Sequence, residues 1–242
     1  MTFLKTLFGP RDAATEAVIT DVTRMQGDHV CIAALDGRKS IRLHDPQPRE
    51  PWLTEIGGLA PGDLVTLDWK TSRRRTFPHA EDGTWLPSSF ARRGRMADGE
   101  LTQRLSDAAF RSVEQAFGRP SRYSENGNAA FAPGSSRRSL ASVLATSVRV
   151  YPHDDGVRVD FKDSAREWTM APVVDLAVRT HKTHCRECAS GIGRLLSVEF
   201  DSDLALLRVG LTRPFQDGDH PPACYLQVNH IFPIPSRAKH FV

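Results

Sequence analysis

Cysteine is scarce in this chain. Four among 242 residues (Cys31, Cys185, Cys188 and Cys224) cannot build the disulfide framework of a small secreted domain, so a reducing, cytoplasmic setting is expected. Long apolar runs are missing too. No stretch reaches the roughly 18 residues that a spanning helix needs, and the opening Met1–Pro10 run, interrupted by Lys5, is too short for a signal peptide. Neither sign of charge dominates. The 32 Lys+Arg against 29 Asp+Glu leave a net +3, so any nucleic-acid partner must be argued from where the charge sits. No repeat recurs at a period of roughly 20–50 residues, which argues against solenoids and propellers. Gly-x-Ser-x-Gly, Gly-x-x-x-x-Gly-Lys-Ser/Thr and His-Glu-x-x-His are all absent, so serine hydrolase, P-loop and zincin readings have no support.

What is present is patterned mainly for strands. At 40% apolar and 25% charged, the chain has the composition of a globular protein with one large or two small domains. Ala17–Met25 is rich in β-branched residues, with Val18, Thr20 and Val22 on one face and Ile19, Asp21 and Thr23 on the other. Gly27-Asp28 predicts a turn into His29–Leu35, and Asp36-Gly37 a hairpin into Lys39–Leu43. Pro46, Pro48 and Pro51 enforce an irregular connection, because proline donates nothing to a ladder. Ala60-Pro61-Gly62-Asp63 then turns into Leu64–Trp69. Strands resume over Val143–Val150, Val157–Phe161, Arg166–Met170, Asp203–Leu211 and Cys224–Phe232. Short strands at this spacing predict small barrels.

Between the two strand sets, apolar residues at 101, 105, 109, 113 and 117 predict one helix over Leu101–Phe117, with Asp98 as its N-cap and Gly118 and Pro120 as its stop. Arg119–Ser142 is rich in Ser, Gly, Asn, Pro and Ala without periodicity, and reads as a linker or a long loop. The fold class is mainly β with a connecting α-helix. The expected domains are a first barrel with a basic arm over 15–97, a helix and flexible linker over 98–142, and a second barrel over 143–242.

Val18–Met25, followed by Val30–Ala34 and Ile41–Leu43, resembles the opening of dual OB-containing proteins, as does Gly156–Phe161 in the second half. Arg208–Pro214 with Cys224–Phe232 is similar to that family's closing strings. The resemblance covers both halves and omits roughly residues 70–140. It implies two OB-like β-barrels in an accessory protein of a bacterial conflict or antiviral defence system, expected to engage DNA or RNA. It brings no catalytic residues with it, and OB barrels also bind proteins and sugars.

The densest local charge runs from Lys70 to Arg95. Lys70, Arg73, Arg74, Arg75, Arg92, Arg93 and Arg95 stand against only Glu81 and Asp82, with Trp69, Phe77, Trp85 and Phe90 interleaved. Single-strand binding asks for this mixture, cations tracking phosphates while aromatic rings stack on bases. Arg is suited to phosphate because its planar fork donates bidentately. In that reading the arginines hold phosphates, and Phe77 and Trp85 stack bases; the alternative is a solvated basic loop with aromatics packed beneath it. Arg119, Arg122, Arg137 and Arg138 against Glu125 add a second cationic segment, either a clamp or a merely soluble loop. His181, His184, Cys185 and Cys188 are the residues with metal-ligand chemistry, since two thiolates two apart are half of a zinc site. A structural zinc is the only cofactor expected, against an unliganded loop or, less aptly, a redox pair.

Asp160, Asp163 and Asp175 fall on or near neighbouring strands and raise a metal-dependent nuclease, against the simpler reading that each caps a turn or pairs with an Arg. Arg208 and Arg213 flank a strand end, facing either a phosphate or an internal carboxylate, whereas Trp168, Tyr225 and Phe232 are expected in the core. The reading favoured by the sequence is a non-enzymatic recognition protein for single-stranded DNA or RNA, partnered by a protein effector subunit. The alternative is an interaction scaffold whose Glu199, Asp201, Asp203 and Asp217-Gly218-Asp219 meet a basic partner.

Overall fold

The computed structural model describes residues 14–37, 39–72, 77–153, 156–178 and 204–234. The chain divides into two compact units, Met1–Arg74 with Glu81–Asp98, and Arg75–Ala80 with Gly99–Val242.

The first unit begins with a three-strand meander, β1 (Thr15–Arg24), β2 (Val30–Asp36) and β3 (Lys39–Asp45), followed by helix α1 (Glu50–Glu55) and strands β4 (Asp63–Leu67), β5 (Trp69–Thr71), β6 (Asp82–Trp85) and β7 (Ala91–Arg95). Gly37 takes a φ of 58°, the left-handed conformation that the Asp36-Gly37 hairpin requires. Pro51 sits in the first turn of α1, where its missing N–H is harmless. The sheet order is β5-β6-β3-β2-β1-β4-β7. Since only Asp68 separates β4 from β5, the two flanks of this order are joined through one nearly continuous strand, and the sheet closes on itself. Five strand positions result: a meander, a fourth strand (β4–β5) antiparallel to the first, and a fifth (β6) parallel to the third. That is the Greek-key order of an OB barrel, with α1 between its third and fourth strands. Strand β1 shifts register between Ile19 and Asp21, which lets it pair with β4 at its start and β2 along its length. The interior is filled by Ile19, Val22, Ile32, Ile41, Leu43, Leu67 and Trp85.

The second unit repeats the plan. Helices α2 (Asp98–Asp107) and α3 (Val113–Phe117) and strands β8 (Arg122–Tyr123) and β9 (Ala129–Phe131) precede a meander of β10 (Leu140–His153), β11 (Gly156–Lys162) and β12 (Glu167–Pro172). Strands β13 (Ala205–Leu211) and β14 (Cys224–Pro233) complete it. β13 runs antiparallel to β10 and β14 antiparallel to β13, and a parallel bridge between Val173 and Val228 closes the ring. β10 carries the equivalent register shift, between Thr146 and Arg149, with Ser147 at φ 51°. Phe117, Phe131, Phe161, Trp168, Leu207 and Val228 belong to its core. Two small OB-like barrels are therefore present, and Trp168, Tyr225 and Phe232 are buried as expected.

The segment between the barrels differs from its sequence reading. The single helix expected over 101–117 is two, because Phe110 bridges to Val143 and Ser112 starts a new helix. The Ser112 hydroxyl accepts from the Gln115 N–H (3.0 Å) as the N-cap, and the Gln115 side chain reaches back to accept from the Arg111 N–H (2.9 Å), one residue before the cap. The linker expected up to residue 142 contains β8 and β9, which extend the second sheet beyond β14.

Candidate nucleic-acid interface

The residues that sequence reasoning placed in one basic arm are distributed over several elements. β7 pairs antiparallel with β4, setting Arg95 opposite Asp63 and Arg92 opposite Val65. It lies at one flank of the sheet order, and its Arg92, Arg93, Gly94 and Arg95 are all exposed. Beneath them Asp63 is fully buried (0% exposed), and it accepts from Arg92 Nη2 (2.7 Å) and Arg95 Nη1 (3.5 Å), and from the Ala60 N–H (2.9 Å). Arg93 donates to the Thr66 hydroxyl at 3.0 Å. Both Asp63-paired side chains stay nearly half exposed, 45% and 46%. One carboxylate thus anchors two guanidiniums and leaves net positive charge on the edge. A cationic edge strand also deters strand-to-strand aggregation.

Lys70 lies on β5 opposite Thr84. β4 leads directly into β5, so Lys70 follows Thr66 along the same strand by roughly 13 Å at 3.3 Å per residue. Beside it Trp69 is half-buried. Its indole packs against Gly83, where an added Cβ would stand 2.2 Å from the ring. Lys39 Nζ sits 4.7 Å from the Trp69 ring centroid and donates to the Thr71 hydroxyl at 3.2 Å. Sequence reading missed Lys39, which is distant in sequence, and assigned a stacking role to Trp85, which the structure buries.

Trp85 is the correction. Its side chain is 1% exposed, donates from Nε1 to the Pro46 carbonyl at 2.7 Å, and meets Trp52 and Phe90 edge-on at 5.0 and 6.1 Å. A ring enclosed in this way offers no face to a base. Phe77 remains 45% exposed but groups with the second unit. Arg73, Arg74 and Arg75 lie outside the described residues, in the connection from β5 to β6. Arg137 and Arg138 are exposed in the second unit, where the Arg138 guanidinium covers the Phe110 ring at 4.7 Å.

The outer face of the first barrel is closed. Asp21, Ala33, Arg42 and Asp82 form one row across β1, β2, β3 and β6, and all are buried. Arg42 donates to Asp82 at 3.0 Å. Burial alone would lower the Arg42 pKa, but Cys31, Asp82 and Glu81 outweigh it and raise the value, so the guanidinium stays charged. Burial pushes the Cys31 thiol up, with Arg42 opposing.

The remaining candidates have structural partners. Asp163 accepts from Trp168 Nε1 and the Val113 N–H, both at 2.7 Å, and from the Ala165 N–H. Asp160 accepts from the Tyr151 phenol and the Met170 N–H, and Asp175 from the Ala177 N–H and His230 Nδ1. Among the described residues no three His, Cys, Asp or Glu side chains are grouped to share a metal ion. Arg208 is buried and donates to Ser142 Oγ at 3.1 Å. His181, His184, Cys185, Cys188, Glu199, Asp201 and Asp203 lie outside the described residues. No helix among the described residues is long and apolar enough to cross a membrane.

No protein-family profile matches the chain, and no curated protein matches it. Among solved structures it is similar to the p204 HINb domain, at 10% identity over 89% of this chain and 96% of that one, with a TM-score of 0.35. It is also similar to the tetrameric p202 HIN2 (9% identity, 90% and 92% covered, TM-score 0.32). A third is the Ifi202 HINa domain in complex with 20-bp double-stranded DNA (10% identity, 91% and 94% covered, TM-score 0.32). These superpositions are loose, and the assignment of two OB-like barrels rests on the strand pairing within this chain.

Proposed function

We propose that this chain is a non-enzymatic nucleic-acid-binding protein that engages single-stranded DNA or RNA through the edge of its first barrel. In this reading it is the recognition subunit for a separately encoded effector, in the conflict-system setting that its strand sequences imply. One observation carries the proposal: of three arginines exposed on β7, Arg92 and Arg95 share a single buried carboxylate, Asp63, and Arg93 donates to Thr66. Lys70 lies on β5, which continues β4, the strand that β7 pairs with, and Lys39 lies on β3 of the same barrel. Arg73, Arg74 and Arg75 belong in sequence to the connection between the fourth and fifth barrel strands, a loop that OB barrels use for oligonucleotides. In this arrangement the guanidiniums and Lys70 neutralise the phosphates of the strand.

The test is fluorescence anisotropy of the full chain against single-stranded DNA, single-stranded RNA and duplex. Each single-strand phosphate contact contributes a slope of about −0.7 in log affinity against log salt, so four contacts lower affinity about 50-fold between 50 and 200 mM. Binding that ignores salt, or no binding at micromolar protein, overturns the proposal.

A second reading is favoured by the connection between β13 and β14. There Phe215, 48% exposed, stacks on Tyr225 at 4.6 Å, and Asp217 lies 3.4 Å from the Tyr225 phenol. An exposed ring beside acids suits a basic protein partner. A stoichiometric complex lost on Phe215→Ala supports that scaffold role.

A further inference from the structure

We propose that the second barrel carries its own phosphate-backbone contact, in which Arg111, Arg137 and Arg138 gather around Phe110 beside the start of β10. This extends the interface beyond the edge of the first barrel and rests on the reading of the chain as a nucleic-acid binder.

Two segments distant in sequence meet here, and both are anchored. Phe110 runs alongside β10, its N–H donating to the Ser142 carbonyl at 2.8 Å and its carbonyl accepting from the Leu144 N–H at 3.2 Å. The chain leading into β10 is held on both sides of Arg138. The buried Ser136 hydroxyl donates to the Arg138 carbonyl at 2.7 Å, and the Ser139 carbonyl accepts from the Leu211 N–H at 2.9 Å. The two segments touch where the Arg138 guanidinium sits 4.7 Å from the Phe110 ring centroid. Arg137 adjoins that contact on one segment and Arg111 on the other. The Arg111 backbone is fixed too, its N–H donating to Gln115 at 2.9 Å and its carbonyl accepting from the Ser164 N–H at 3.0 Å.

All three arginines are exposed, and among the described residues none of their guanidiniums has a carboxylate partner or a side-chain hydrogen bond. The carboxylates of the neighbouring elements are accounted for. Glu114 pairs with Arg166 and Arg119, and Asp163 accepts from Trp168 Nε1 and from the N–H groups of Val113, Ala165 and Arg166. In the connection after β13, Asp217 and Asp219 are matched in number by Arg122 and Arg213. Asp107, which accepts from Gln103 at 2.7 Å, remains. Counted against the three arginines, it leaves the patch at three minus one, or +2. A guanidinium resting on a ring spends none of its N–H donors, and their planar fork suits a phosphate.

The experiment uses the full chain and mixed-sequence single strands of DNA and RNA, with affinity followed by fluorescence anisotropy between 50 and 200 mM salt. Removing three contacts at about 0.7 each lowers the salt slope by about 2, so the fall in affinity over that range shrinks about 18-fold in Arg111→Gln/Arg137→Gln/Arg138→Gln. Arg138→Lys, which keeps the charge, holds the slope. Phenylglyoxal footprinting of the unaltered chain, read by mass spectrometry, shows all three arginines protected by bound strand. A triple-variant slope within about 0.5 of the unaltered one overturns this inference. Should the urea midpoint of the triple variant fall, the footprint decides, and unprotected Arg111, Arg137 and Arg138 overturn it. In either case a lower slope in Arg93→Gln leaves the proposed function standing. If the unaltered chain binds no strand, both fall.

Discussion

In the first barrel, the row across β1, β2, β3 and β6 carries Asp21, Ala33, Arg42 and Asp82, all withdrawn from water. In the second, the corresponding rows across β10 and β11 carry Arg149 with Asp160 and Tyr151 with Arg158, exposed or half-buried. The strand order, the bulge in the first strand and the parallel closure are the same in both. Charge on the covered face must be paired, because an isolated buried charge costs several kcal/mol. Charge on the more open face is partly balanced by solvent. The same barrel thus carries a buried polar row in one copy and a more exposed one in the other.

The comparison breaks most sharply at Asp82. Asp82→Ala removes a buried carboxylate bonded to Arg42 at 3.0 Å and is expected to cost about 3–5 kcal/mol, read as a fall in the urea midpoint of the full chain. Gly83→Ala comes next, because the new methyl enters the Trp69 indole. Overpacking of this kind costs roughly 1–3 kcal/mol, read in the same urea titration. Arg149→Ala, on the open face, should change stability by less than about 0.5 kcal/mol, so an urea midpoint equal to that of Asp82→Ala would erase the contrast.

The smallest effect is a titration. The folded Tyr151 pKa is raised from 10.0 to about 12. The phenol's contribution to stability is therefore fully present below pH 10 and is lost as pH rises through about 12. Absorbance near 295 nm should show a tyrosinate component appearing late, and Tyr151→Phe should remove it while the signals of Tyr123 and Tyr225 remain.

Local rules carried the reading of the meanders. Asp36-Gly37, with Gly37 at φ 58°, and Gly118, with φ 88° at the end of α3, do what their residue types require. Barrel closure was not legible, because the pairing of Arg42 with Asp82 and of Val173 with Val228 joins residues far apart in the chain. The division of the helix left a trace that the spacing of four concealed, the Ser112 N-cap with Gln115 three residues on. Ala129–Phe131 has no polar alternation because all three residues are buried, so the strand β9 read as loop. Within the site, β7 was legible as charge and Trp85 was misplaced. Interleaving with arginines along the chain suggested a surface ring, yet the strand turns Trp85 inward against Trp52 and Phe90. The Tyr151 face had no sequence signal of its own, since it depends on the register between β10 and β11.

The most direct measurement is hydrogen exchange of the full chain with and without a saturating single strand, resolved by peptide. The account predicts new protection over residues 91–95 with residues 31–42 unchanged. Protection centred on residues 31–42, or none over residues 91–95 while the strand is bound, would contradict it.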